Sequence, residues 1–190
     1  NMMFDGLLRA DELASVQIKH IDHMAHKLFV PTSKSDQSGT GQNRYISDTT
    51  LNYVSDYINE ANIITKTGKE KDKDDPTRIN KGILFRAFHS KGTCIEPYNE
   101  SETRMKNMVT LNYTSIYRAL KRVAKKAGIN IAISGHSQRV GAAVSMAEAG
   151  RTTKEIQDAG GWKGPIMVAK YTEQAQTETG MSKISKQFGR

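Results

Sequence analysis

The C-terminal part of the chain is cut into helical lengths by its own start and stop residues, and that punctuation leaves little freedom in fold class. Tyr113, Ile116, Tyr117, Leu120, Val123 and Ala127 recur at helical spacing until Gly128 ends the run. A second helix is expected from about Ser137 to Ala149, stopped by Gly150. Thr152 and Glu155 then stand three apart as a capping box for a short helix. Pro165 suits the first turn of a further helix, which would carry Tyr171.

The N-terminal part mixes both periods. Residues Leu7 to Val16 read as the end of a helix, and VQIKHI, KLFVP and RYIS between Val16 and Ser47 are strand-like. The polar stretch TSKSDQSGTGQN separates the last two, which predicts a hairpin. Leu51, Val54, Tyr57, Ile58 and Ala61 give a helix over Thr49 to Ala61, with Ser47 or Asp48 as its cap. Lys66 to Lys81 is charged, mixed in sign and interrupted by Pro76, so it reads as an exposed loop. A short strand is expected at Ile83 to Phe85, then irregular sequence to about Thr110. The expectation is an α+β fold, mainly α-helical, with a small antiparallel β-sheet.

A chain of 190 residues is about one domain's worth and can bury a core. Its single cysteine, Cys94, rules out an internal disulfide and zinc sites of the Cys₂His₂ or Cys₄ kind. No run approaches the ~18 apolar residues of a membrane span, and the N-terminus lacks the layout of a signal peptide. A cytoplasmic protein is therefore expected. The net charge of +8 is unevenly placed. Between Thr103 and Ala147 there is no Asp or Glu, yet Arg104, Lys106, Arg118, Lys121, Arg122, Lys125, Lys126 and Arg139 fall there. Charge gathered this way is the footprint of a phosphate-binding face, or else a solvated helix face.

GHSQRVGAA (Gly135 to Ala143) and GGWKGPIMVAKY (Gly160 to Tyr171) hold residue types suited to one chemistry. Breaking a phosphodiester without a metal needs a side-chain nucleophile, charge stabilisation and proton transfer. Arginine clamps phosphate oxygens bidentately, as lysine's point charge does not. Histidine titrates near neutrality and can move a proton. Tyrosine, with an ordinary pKa of about 10, attacks only beside a base or a cationic field. His136 and Arg139 stand one helical turn apart, which predicts a shared face at a helix start. Singly these residues are more often capping or packing groups: Tyr171 and Trp162 commonly belong to cores.

Together they resemble the catalytic domain of the tyrosine recombinases, the phage integrase family. The likeness rests on SGH-S-x-RVGAA, the M-A-x-A-G step at Met146 to Gly150, EI…AGGW ending at Trp162, Tyr171, and ETG at Glu178 to Gly180. Most members have histidine where Trp162 stands, so the likeness is to the Cre-like branch. Arg9 and Glu12 in LLRADELASV match the family's Arg-x-x-Glu. The family's hairpin lysine corresponds to Lys34 in TSKSDQSG, with Lys27 as its rival.

The resemblance implies roles for these positions. Tyr171 attacks the scissile phosphate to give a 3′-phosphotyrosine and a free 5′ hydroxyl. Arg9 and Arg139 hold the non-bridging oxygens, Trp162 donates one more hydrogen bond, and Glu12 orders the cluster without touching phosphate. Lys34 protonates the leaving oxygen and His136 moves the tyrosine proton. No cofactor is implied, and neither G-x₄-G-K-[ST] nor H-E-x-x-H occurs. The implied partner is double-stranded DNA, contacted also by Arg118, Lys121, Arg122 and Lys125. In the family four protomers assemble on two DNA sites, and Thr177 to Arg190 is the segment they would exchange. The chain would then be one catalytic domain, a fragment without the family's N-terminal DNA-binding domain.

Rival readings are a type IB topoisomerase, a DNA-binding module without turnover, and a basic structural protein. The last leaves the His–Arg–Trp–Tyr set unexplained. His20, His23 and His26 recur every three residues, but in a strand and turn they would not share a face, so no metal is expected. Asp72, Asp74 and Asp75 lack the glycine and glutamate of a calcium loop.

Overall fold

The computed structural model describes residues 1–31, 39–61, 63, 83–88, 111–173, 185 and 187. Its elements run α1 (Met2–Asp5), α2 (Ala10–Ala14), a 3₁₀ turn (Ile18–His20), β1 (Ile21–Asp22), β2 (Lys27–Val30), β3 (Gln42–Tyr45) and α3 (Asp48–Glu60). Then follow α4 (Tyr113–Lys126), α5 (Ser137–Glu148), α6 (Thr153–Gly160) and a helix α7 over 165–173. The class is as expected: mostly helix, with one antiparallel sheet in the order β1-β2-β3. The stretches expected as a charged loop (66–81) and as irregular sequence (most of 86–110) lie largely or wholly outside the described residues, as does Lys34.

Several starts and stops are used as the residues suggest. Asn112 caps α4, its side chain accepting from the Ser115 N–H at 2.9 Å. Thr152 and Glu155 form the capping box of α6, with the Thr152 N–H donating to the Glu155 carboxylate at 2.7 Å. Gly128 and Gly150 both take positive φ just past helix ends, where a side chain would be strained.

Three expectations for the N-terminal half need correction. The predicted helix over Leu7 to Val16 is helical only at Ala10–Ala14, with a separate short helix before it at Met2–Asp5, because the chain breaks at Gly6 to Arg9 and Leu7 adopts φ +46°. VQIKHI is mainly a 3₁₀ turn: the His20 N–H donates to the Gln17 carbonyl at 2.9 Å, and the His20 ring accepts from the Gln17 N–H. Ile83 to Phe85 is not a strand but one isolated bridge between Ile83 and Gln17, with Leu84 buried beneath it.

The break at Leu7 has a packing reason. Two buried clusters meet there. Leu8 joins the larger one, with Leu28 of the sheet, Ile46 just after it, Leu51, Val54 and Ile58 of α3, Leu84, and Ile116 of α4. Leu7 joins the smaller one, with Ala142, Ala143 and Ala147 of α5, Ile156 of α6 and Val168 of α7. Adjacent leucines thus point into different cores, and burying each is worth roughly 1.5–3 kcal/mol. That gain sustains a left-handed leucine, whose strain is on the order of 1–3 kcal/mol.

Asp5 locks this N-terminal piece to α3. Its carboxylate accepts from the Ser47 N–H at 3.0 Å, the Ser47 hydroxyl, and the Thr50 hydroxyl at 2.6 Å. A carboxylate at a helix N-terminus also faces the positive end of the dipole. Burial alone would raise the Asp5 carboxyl, but the Ser47 and Thr50 hydrogen bonds outweigh it and hold it below its ordinary 3.8. A depressed carboxylate stabilises the fold fully above its unfolded value, and the contribution disappears as pH falls through the lowered folded value. Asp5→Asn should therefore cost about 1–2 kcal/mol at neutral pH, the low part of the range for charged hydrogen bonds in a partly exposed site. Urea midpoints followed downward from pH 7 should converge for the two proteins below pH 3.8; parallel curves would refute the assignment.

Candidate active site

Arg139 is on the face of α5 that also carries Ala142 and Ala143, three and four residues on, so helical register sends all three inward. The arginine is 3% exposed. Its Nη1 donates to the Leu7 carbonyl and its Nη2 to the Gly160 carbonyl, the latter at 2.7 Å. The guanidinium carbon lies 4.0 Å from the centroid of the Trp162 ring. A desolvated cation over tryptophan gains about 2 kcal/mol. Burial, and next the Arg9 charge, push Arg139 down to about 10, with Glu12 and Tyr171 acting in the opposite sense. The group stays a cation at neutral pH, held where water cannot solvate it, so an arriving anion would relieve it.

Glu12 is buried on α2, and Arg9 precedes that helix. The Glu12 carboxylate accepts from the Arg9 N–H at 2.8 Å and from Arg9 Nη1 at 2.7 Å. Its second oxygen lies 4.0 Å from Arg139 Nη1. One carboxylate therefore stands between two guanidiniums and fixes their spacing.

Trp162 follows the end of α6, where a helix leaves its last four carbonyls without intrahelical donors. Here every one has a partner. The Trp162 N–H donates to the Gln157 carbonyl at 3.0 Å and the Gly161 N–H to that of Asp158 at 3.2 Å, with Gly161 left-handed at φ +64°. The carbonyls of Ala159 and Gly160 take arginine donors, Arg44 and Arg139 respectively. Both glycines sit in close contact: a Cβ at Gly160 would overlap the Trp162 ring, and one at Gly161, already left-handed, would meet the ends of the Gln42 and Arg44 side chains.

Pro165 opens α7, as the sequence suggests, and Val168 and Thr172 bury its inner face. Tyr171, half-buried beside them, has its ring centroid 6.3 Å from that of Trp162 at a 59° tilt. Among the described residues neither the Tyr171 hydroxyl nor the Trp162 indole N–H makes a hydrogen bond.

The structure thus brings together Arg9, Glu12, Arg139, Trp162 and Tyr171. His136 stands just before α5, exposed, and its ring makes no hydrogen bond among the described residues, so it shares no buried face with Arg139. The preceding Gly135 packs closely on α4, where a Cβ would come within 2.5 Å of the Tyr113 ring. Lys27 is exposed in β2. Arg118, Lys121, Arg122 and Lys125 are all exposed on α4, with Lys121 Nζ 5.1 Å from the Tyr117 ring centroid. Among the described residues no three His, Cys, Asp or Glu side chains are grouped to hold a metal ion, and no helix is long and apolar enough to cross a membrane.

Arg44 is the neighbour that sequence reasoning missed. It sits in β3 opposite Leu28, two residues before the fully buried Ile46, and is itself 3% exposed. In the sequence Arg44 opens the strand-like RYIS, and a charged residue there reads as surface. The available signal was parity, because residues two apart in a strand share a face.

The geometry can be set beside known proteins. The sequence profile of the phage integrase family matches residues 1–178. The chain is 27% identical over 181 residues to recombinase Cre of Escherichia phage P1, covering 93% of this chain and 48% of that one. In fold it is similar to XerA recombinase, with a TM-score of 0.66 and 17% identity, over 95% of this chain and 55% of the other. It also resembles the XerH site-specific recombinase bound to a palindromic difH substrate, with a TM-score of 0.63 and 13% identity, over 95% and 42% of the two chains. The chain thus spans about half the length of the relatives it matches. With the profile matched over nearly its whole length, this chain belongs to the phage integrase family.

Proposed function

We propose that this chain is the catalytic domain of a site-specific DNA recombinase that cuts and rejoins strands through a 3′-phosphotyrosine. The observation that carries the reading is the buried Arg139 guanidinium, packed under Trp162, tied through Glu12 to Arg9, with the Tyr171 phenol beside it. Such a site is an anion pocket before any anion arrives, and preorganised charge of this kind usually contributes more to catalysis than any other single effect.

The steps follow from the residues. Tyr171 Oη attacks the phosphorus, the bond to the 5′ oxygen breaks, and the 3′ phosphate is joined to the phenol. His136 takes the phenolic proton and Lys34 gives one to the departing 5′ oxygen. Arg9 and Arg139 hold the non-bridging oxygens as charge builds on them, and the Trp162 N–H adds a donor. Losing one such donor costs on the order of 10²–10³ in rate. The phosphodiester energy is kept in the phosphotyrosine, so a 5′ hydroxyl can reverse the step without a cofactor, and His136 returns the proton.

Arg118, Lys121, Arg122 and Lys125 on α4 touch the DNA backbone and position the duplex. In the complete assembly, further protein beyond this domain closes around double-stranded DNA. Four protomers act on two sites in the cytoplasm, linked through the segment Thr177 to Arg190.

Two measurements test this. A randomised pool of nicked duplexes, whose cleaved strand cannot rejoin, should give a protein–DNA adduct that survives denaturation and is absent with Tyr171→Phe. An adduct that persists in Tyr171→Phe refutes the nucleophile assignment, and DNA binding without any adduct favours a binding module. Replacing the four α4 residues by glutamine should weaken binding and flatten its salt dependence by about 0.9 in log–log slope for each phosphate no longer neutralised. An unaltered slope would remove α4 from the DNA face.

A further inference from the structure

Arg44 is a buried cation that makes no ion pair with a carboxylate among the described residues. Its Nη1 donates to the Ala159 carbonyl and reaches toward that of Asp158, while its Nε and Nη2 have no hydrogen-bond partner among the described residues. An arginine in this state is expensive to bury, and core stability alone would be better served by an apolar residue. What the position does provide is specific. Arg44 comes from β3 and Arg139 from α5, yet they take adjacent carbonyls, Ala159 and Gly160, at the end of the same helix. Trp162 begins two residues later, and its ring covers Arg139.

We propose that Arg44 is a positioning residue of this site: by holding the end of α6 from the sheet, it sets where Trp162 and the Gly160 carbonyl stand relative to Arg139. This rests on the recombinase reading for its effect on cleavage, but not for its effect on Trp162. The negative end of the α6 dipole makes a guanidinium a favoured cap there. Gly161 completes the arrangement, since a side chain at that position would crowd both the Gln42 amide and the Arg44 guanidinium. Arg44 adds a third guanidinium, near enough for its charge to act on Arg139 and for Glu12 to favour its cationic form. The pocket is therefore more strongly anion-seeking than Arg9 and Arg139 alone would make it.

Trp162 is the only tryptophan of the chain, so its emission reports this one position. The test compares Arg44→Met and Arg44→Lys with the unsubstituted chain by tryptophan emission, thermal midpoint and rate of adduct formation on the nicked pool. Arg44→Met should shift Trp162 emission and slow adduct formation on the order of 10²-fold, the effect of a misplacement near 1 Å. Arg44→Lys, which keeps the charge and one donor, should fall between the two. Unchanged emission and rate in Arg44→Met overturn the proposal, as does a loss of adduct that merely tracks the unfolded fraction. Should Arg44→Met fail to fold, wild-type emission and rate in Arg44→Lys overturn it. Should the unsubstituted chain form no adduct, the recombinase reading fails, and emission alone decides: no shift in either variant overturns the role of Arg44.

Discussion

The burial of Arg139 is the constraint on which the rest of the site depends. A guanidinium enclosed among alanines and leucines must have its donors met, and the partners it finds lie in two separate parts of the chain. One is the carbonyl of Leu7, presented by a backbone that turns left-handed there; the other is the carbonyl of Gly160 at the end of α6. The same residue therefore fastens α5 to the N-terminal break and to the turn before Trp162. Moving any of these three would strand a buried charge.

Glu12 then determines the charge balance. It is too far from Arg139 for a hydrogen bond, at 4.0 Å, and is committed to Arg9 at 2.7 Å. The carboxylate is thereby shared without neutralising either arginine fully. A closer approach would have made a satisfied internal ion pair with little to offer a ligand. The arrangement leaves two guanidiniums to one carboxylate, a net positive charge at the site.

Much of this was legible in the sequence where the signal lies in side chains. Thr152–Glu155, Gly128, Gly150 and Pro165 mark helix ends by local chemistry, and those ends stand where the residues put them. Arg9, Glu12, Arg139, Trp162 and Tyr171 were legible as a set, and they do lie together. What escaped was decided by tertiary contact. Nothing in LLRADELA announces that Leu7 will leave the helical region, because the cause is a second core formed by residues more than a hundred positions away. The bonds of Arg139 end on carbonyls, which carry no residue signature. Arg44 escaped for both reasons: it hides in a polar strand, and it too binds main chain.

Those main-chain partners have a consequence for how the site can diverge. At Leu7, Ala159 and Gly160 the arginines grip peptide oxygens, which every amino acid possesses. As far as these bonds go, the side chain at Ala159 is free to change, whereas that of Leu7 is held by its burial in the second core. The constraint falls instead on positions that must have no side chain at all, Gly160 under the indole and Gly161 against Arg44. Such a pocket ties its geometry less to the identity of the residues it grips than to two positions where a methyl group would press on the indole or on Gln42 and Arg44.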